Sequence, residues 1–281
     1  MNYKLFIIHC QLSILLLFPL AALAVDDGEL ENPEDFTVEV LLAIKYERCQ
    51  DALNLLVEKE RAEDTLSARH RYLMAEAFTC LGSHKTALNI YNALLKRDRD
   101  NPLYLYRRMI VHARLRSWKK SHADCMQLHR LMPREFSYCK ICGEVALEAE
   151  RYGDALNFLR CHLQVHTHDV NAQYLTALAC LRMKDYNSAL LTINGCIGEK
   201  PQMGEYHLLR AQIYEQQDVL SFAADGYAVY LKQLPADHKT WLQYGLLLQK
   251  LERKSEACKA FAQSKANGNL DAGKYLHRFC R

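Results

Sequence analysis

The chain has 281 residues, half of them hydrophobic and 25% charged, with a formal net charge of +3 at pH 7. That balance excludes an intrinsically disordered chain, which lacks the apolar residues needed to offset the entropy of ordering, and describes an ordinary globular protein of one large domain or two smaller ones.

The first 24 residues, MNYKLFIIHCQLSILLLFPLAALA, stand apart from that composition. One lysine precedes an apolar run that ends in Ala22-Leu23-Ala24, the small-x-small pattern that signal peptidase requires, so residues 1–24 read as a signal peptide and not as part of the fold. A retained anchor is the rival, but the uninterrupted apolar part from Ile14 to Ala24 is short for a hydrocarbon core about 30 Å thick. No cysteine follows the small residues, which argues against a lipid anchor. No other segment is apolar enough to span a membrane, so no integral span is expected once the leader is cleaved. The expectation is an exported protein, periplasmic as the first choice and secreted as the second.

Residues 25–35, VDDGELENPED, hold six carboxylates and no base. From Phe36 onward the chain carries 35 Lys+Arg against 27 Asp+Glu, a net +8, so an acidic tail precedes a basic body. The plain reading is a solvated, flexible terminus; the sharper one is an acidic arm lying on a basic groove.

The body repeats. Ala87, Ser121, Ala155, Ala189, Ala223 and Ala257 are each 34 residues apart, and Ala52 lies 35 before Ala87. Four residues after each comes a further core position, Tyr91, Cys125, Leu159, Ile193, Tyr227 and Phe261. Twelve residues before each stands Val40, Ala75, Met109, Gly143, Ala177, Ala211 or Gly245, again mostly small. Pro133, Pro201 and Pro235 recur at the end of the unit, where proline stops a helix. Small residues at two fixed positions of each period mark places where two elements approach closely, since a bulky side chain there would push them apart. The units run over about 36–67, 68–101, 102–135, 136–169, 170–203, 204–237 and 238–269. Residues 270–281, with Tyr275, Leu276 and Phe279, read as a helix capping the last unit. The unit around Met109 and Ser121 departs from the small-residue pattern and is expected to pack more loosely.

This pattern resembles the tetratricopeptide repeat family. In TWLQYGLLLQKLERKSEACKAF, Trp241, Tyr244-Gly245, Leu248, Ala257 and Phe261 fall at the family's Trp, Leu-Gly, Tyr, Ala and Phe positions, and GSHKTALNIY and DYNSALLTI keep the core of the second helix. The resemblance covers about residues 36–271 in seven units, the first degenerate. It implies an all-α, right-handed superhelical solenoid whose first helices line a concave groove.

In that register Cys139 and Cys142, which form a Cys-x-x-Cys, fall at the fourth and seventh positions of a first helix, where buried packing is the leading reading. A redox pair, a zinc site and a disulfide to another unit remain as alternatives, with Cys125 close enough in the register to reach Cys139 or Cys142. The scattered Cys80, Cys161, Cys180 and Cys196 read as core filler more than as a framework. His162, His166 and His168 are weak metal candidates: the first two stand one helical turn apart, but they also lie near a helix C-terminus, where imidazolium is favourable without metal. No cofactor motif, phosphate-binding glycine loop or nucleophile elbow occurs.

The family's groove positions implicate Arg69, Tyr72, Glu76, Tyr106, Ile110, Arg114, Lys140, Glu144, Tyr174, Leu178, Arg182, Leu208, Gln212, Leu242 and Leu246. Tyrosine beside arginine is the composition of binding hot spots. The carboxylate clamp with which family members hold chaperone tails needs Lys and Asn at the fifth and ninth positions, and Tyr72 with Glu76, or Tyr106 with Ile110, do not supply it. A net +8 is modest for nucleic acid, so none is expected as a partner. The expected protein is a non-enzymatic adaptor of the cell envelope that holds a peptide or protein partner, an acidic one included, in its groove. A thiol- or metal-binding periplasmic protein, or a self-assembling homo-oligomer, is the alternative.

Overall fold

The computed structural model describes residues 35–62 and 67–280, and every regular element among them is an α-helix. The leader and the acidic tail up to Glu34 lie outside the described residues; Asp35, placed in the tail by composition, already opens the first helix.

The described residues divide into two compact units, one up to Arg151 and one from Tyr152 onward. In the first, α1 (Asp35–Lys45) pairs with α2 (Cys49–Ala62), α3 (Ala68–Cys80) with α4 (His84–Arg97), and α5 (Pro102–Arg114) with α6 (Trp118–Leu131), and α7 (Cys139–Glu148) follows. The second begins with α8 (Tyr152–Leu163). Three helix pairs follow: α9 (Val170–Arg182) with α10 (Tyr186–Glu199), α11 (Gly204–Gln216) with α12 (Leu220–Gln233), and α13 (His238–Lys250) with α14 (Lys254–Ala266). The last helix is α15 (Ala272–Phe279).

Local chemistry sets where these helices start and stop. Asn101, Asp169 and Asp237 accept hydrogen bonds from first-turn N–H groups of α5, α9 and α13, a capping interaction worth about 1 kcal/mol each. Pro102, at the first turn of α5, lacks only an N–H that would have gone unpaired. Pro133, Pro201 and Pro235 each stand two residues beyond the last residue of α6, α10 and α12. Two of these turns are tied down by the helix that follows. His207 Nε2 lies 2.8 Å from the Pro201 carbonyl oxygen, and Trp241 Nε1 donates to that of Pro235 at 2.8 Å. Within each hairpin the turn contains a left-handed residue, and Arg116, Glu150, Lys184, Asp218 and Glu252 repeat it at the 34-residue period with φ from 54° to 63°. Gly82 is the one member of the series that adopts this conformation without a Cβ penalty.

The small-residue register is the core. Ala52, Ala87, Ser121, Ala155, Ala189 and Ala223 are fully buried, and so are their helix-crossing counterparts Ala75, Met109, Ala177 and Ala211. Gly245 faces the Phe261 ring so closely that a Cβ would come within 2.6 Å of it, and a Cβ on Gly226 would meet the His207 carbonyl at 2.9 Å. The α5–α6 pair does not pack loosely. The Ser121 hydroxyl donates to the Met109 carbonyl at 2.8 Å inside the crossing, and Met109 is fully buried.

One helix departs from its expected start. α7 begins at Cys139, which makes Cys139 its first residue and not its fourth. Glu135 occupies the position at which Asn101 and Asp169 cap their helices, and its longer side chain accepts instead from the Ser137 N–H at 2.9 Å. The chain therefore turns once more before the helix begins. At the other end of the sequence α15 closes the second unit: the Tyr275 ring stacks on Phe261 at 5.4 Å, and a Cys258–Cys280 disulfide joins α14 to the residue after α15.

Candidate partner-binding surface

In the first unit the expected groove residues separate into buried and accessible sets. Tyr72 and Tyr106 are only 4% and 3% exposed, so these two expected footholds are core residues. The Tyr72 ring lies 6.3 Å from Tyr91 and 5.9 Å from Tyr104, which fills the space between neighbouring helices where the expectation had placed a ligand. Ile110, Arg69 and Lys140 are half-buried and Arg114 is exposed. The Arg114 guanidinium donates to the Thr79 carbonyl at 3.4 Å, which draws α5 onto the end of α3.

Beneath these residues lies a buried polar network. Glu76, 8% exposed, accepts a hydrogen bond from the Tyr91 hydroxyl and forms an ion pair with Arg107, whose Nε is 3.4 Å away without meeting hydrogen-bond geometry. Burial and the Glu76 charge hold the Tyr72 and Tyr91 phenols well above their usual range. Burial opposes the charge on Arg107, but the Glu76 carboxylate outweighs it, so the guanidinium stays protonated. Beside it, Arg108 makes a two-pronged contact with Asp124 at 3.0 and 2.6 Å and donates to Asn92 at 3.0 Å. Arg107 and Arg108 fall between the family's groove positions, so the register does not single them out. Their signal was a pair of charges inside the apolar run LYLYRRMIV, which buried partners alone can satisfy.

In the second unit Leu178 is 4% exposed and packs in the core, a further correction to the expected groove. Tyr174 is half-buried over Tyr206, with ring centroids 5.4 Å apart, and Arg182 at the end of α9 is exposed. Leu208 and Leu242, 34 residues apart on α11 and α13, are half-buried at the margin of a core cluster built on Tyr227, Leu248 and Phe261. Apolar and aromatic side chains thus remain partly accessible at one repeating position of α9, α11 and α13.

The disulfides overturn the filler reading for Cys80 and Cys161, while Cys180 and Cys196 keep it. Cys49 pairs with Cys80 and Cys125 with Cys142, joining α2 to α3 and α6 to α7 with Cα atoms 6.0 and 5.6 Å apart. Cys139 and Cys161 are disulfide-bonded as well. Cys142 is thus joined to Cys125 and not to Cys139, and the Cys-x-x-Cys is not a closed redox pair. Cys180 and Cys196 keep free, buried thiols, and burial raises both pKa values, that of Cys196 to about 11. His162, 9% exposed, lies with Nε2 3.0 Å from the Asp169 carboxylate, whose other oxygen caps α9. The His162 and His166 rings lie face to face, tilted by 30° with centroids 4.6 Å apart, while His168 is exposed.

Paired helices with small residues at their crossings and one left-handed turn residue per period define a tetratricopeptide repeat fold. No family model matches the sequence, and no curated protein matches it; the likeness is one of structure. A tetratricopeptide repeat protein from Parabacteroides merdae is similar over 88% of this chain and 97% of its own, at 18% identity and a TM-score of 0.60. The C-terminal part of a repeat-containing protein from Cytophaga hutchinsonii covers 85% of this chain and 99% of its own, at 13% identity and a TM-score of 0.66. YrrB, described as a repeat protein with an unusual peptide-binding site, covers 67% and 97% at 10% identity, with a TM-score of 0.51. The chain has the tetratricopeptide repeat fold.

Proposed function

We propose that the protein is a non-enzymatic interaction scaffold that works outside the cytoplasm and binds a peptide or protein segment on the exposed faces of its first helices. The observation that carries this reading is the set of partly accessible apolar and aromatic residues at one repeating position, Tyr174, Leu208 and Leu242; Arg182, at the far end of α9 from Tyr174, is exposed. Such side chains on a rigid scaffold can enter a partner's surface with little ordering cost. The exposed Arg114 and Arg182 favour an acidic partner, and the description of YrrB lends the peptide reading support. Export is supported by the leader and by helix-joining disulfides, which persist in oxidising compartments. No helix among the described residues is long and apolar enough to cross a membrane.

The test is photo-crosslinking from a reactive amino acid placed at Leu208 or Leu242, with Leu191 on α10 as the control. Capture of one protein from the native envelope at Leu208 and Leu242 but not at Leu191, weakened at least about tenfold by Arg182→Ala, supports the reading. Equal capture at all three positions refutes it.

A further inference from the structure

Between α4 and α5 the first unit carries an open cavity of about 500 Å³, lined by Asn89, Asn92, Lys96, Arg99 and Arg108, with Leu95 on its apolar side. Small-molecule sites span about 300–1,000 Å³. Arg108 is already committed there: Asp124 accepts from its Nε and Nη2, and Asn92 Oδ1 accepts from its Nη1. A guanidinium only donates, so Asn92 must turn its carbonyl oxygen to Arg108, and its amide NH2 is left without an acceptor among the described residues. Lys96 and Arg99 are exposed, and no described carboxylate lies within ion-pair distance of either. The acids beside them in sequence are engaged elsewhere: Asp98 accepts from Asn101 Nδ2 at 2.9 Å, and Asp100 from Gln127 Nε2 at 2.8 Å. The cavity wall therefore holds an excess of donors and positive charge.

The repeat register separates what the fold needs at this place from what it does not. Three repeats on, Arg210 of α11 donates to Asn194 Oδ1 of α10 at 3.3 Å, the counterpart of Arg108 on Asn92. There Leu191, Gly198 and Pro201 stand where the first unit has Asn89, Lys96 and Arg99, so the helices pack and the Arg–Asn contact forms without those three polar side chains. Arg99 also takes the register position of Pro133, Pro201 and Pro235, the residues that follow α6, α10 and α12. Packing of the helices accounts for Arg108 and Asn92 but not for Asn89, Lys96 or Arg99. We propose that the α4–α5 cavity is a binding site for a small polyanion, a compound bearing two or more phosphate or carboxylate groups. Lys96 and Arg99 supply the charge, and the Asn92 and Asn89 amides add the hydrogen bonds that fix orientation. The Arg108–Asp124 pair, neutral as a whole, holds the Asn92 amide in place. One oxyanion would occupy only a small part of the cavity, which is why the ligand carries more than one.

The experiment is titration calorimetry of the full chain, its disulfides intact, with inorganic pyrophosphate and with citrate in about 0.15 M salt, where attraction between distant exposed charges is largely screened. Saturation of one site per chain by either probe, with a Kd below about 1 mM, is expected, and the tighter probe names the oxyanion. Asn89→Asp, which sets a carboxylate among the donors, and the double variant Lys96→Gln with Arg99→Gln each weaken binding at least about tenfold. All three positions are exposed, so the melting temperature stays at that of the parent. Lys232→Gln removes the lysine at the same register position of α12 and leaves binding unchanged. Failure of both probes to saturate overturns the proposal, as does binding indifferent to the Lys96 and Arg99 changes. Binding weakened as much by Lys232→Gln overturns it too, since net charge alone would then hold the anion. The cavity shares no residue with the proposed partner surface, so either test can fail while the other stands.

Discussion

Removing the Arg107 cation tests the charge coupling in the buried network of the first unit. Glu76 and Arg107 are 8% and 14% exposed and lie 3.4 Å apart. At an effective dielectric near 20, unit charges at that separation attract by roughly 5 kcal/mol, an attraction largely consumed by the cost of taking both ions out of water. Arg107→Met keeps the packing volume but leaves the buried Glu76 carboxylate with the Tyr91 hydroxyl and without its ion-pair partner, and should cost about 3–5 kcal/mol. Glu76→Gln with Arg107→Met together should recover most of that loss, because no uncompensated charge is then buried. Tyr91→Phe alone should cost about 1–3 kcal/mol, since it removes a donor from a buried acceptor. The assay is urea unfolding of the parent, Glu76→Gln, Arg107→Met and the double variant, arranged as a double-mutant cycle with parental m-values, with Tyr91→Phe measured beside them. If the Glu76 and Arg107 changes were simply additive, the two charges would not be coupled and the network as described would be wrong.

Gly226→Ala and Gly245→Ala should each lower stability by about 1–3 kcal/mol, because the new Cβ meets the His207 carbonyl in one case and the Phe261 ring in the other; an unchanged melting temperature in both would refute the close crossings. In native protein at pH 8 an alkylating reagent should spare Cys180 and Cys196, whose burial raises their pKa values; urea alone should expose those two, and the cysteines of the disulfides should react only after reduction, as read by peptide mass mapping. His112 is held neutral by burial and by the nearby Arg108 and Lys120, with a pKa lowered to about 4. Its unfolded form binds a proton near pH 6.5, so the folded state loses stability as pH falls from about 6.5 towards 4, by roughly 1–2 kcal/mol between pH 7 and 5. His112→Gln should flatten that part of the profile, and an identical profile in parent and variant would remove His112 as the cause.

The amino-acid sequence by itself determined the fold, because a repeat protein writes its packing geometry into its period: residues such as Ala189 and Gly245 must be small wherever two helices cross, and that demand returns with every turn of the array. It also determined where helices stop, since Pro201 and Pro235 act through their own covalent geometry. What only the tertiary structure decided were the features that depend on which neighbour lies against a residue. Tyr72, Tyr106 and Leu178 occupy groove positions in the register, yet each is buried, because exposure depends on how far the adjacent helix leans over and not on position within the unit. Cys125 had two possible partners one turn apart in the register, and the orientation of α7, delayed by the poor capping residue Glu135, gave it to Cys142. Glu76 and Arg107 lie 31 residues apart and belong to different repeats, on α3 and α5. Periodicity places each of them on a helix, but the pairing exists only where two separate helices bring opposite charges into the same dry space.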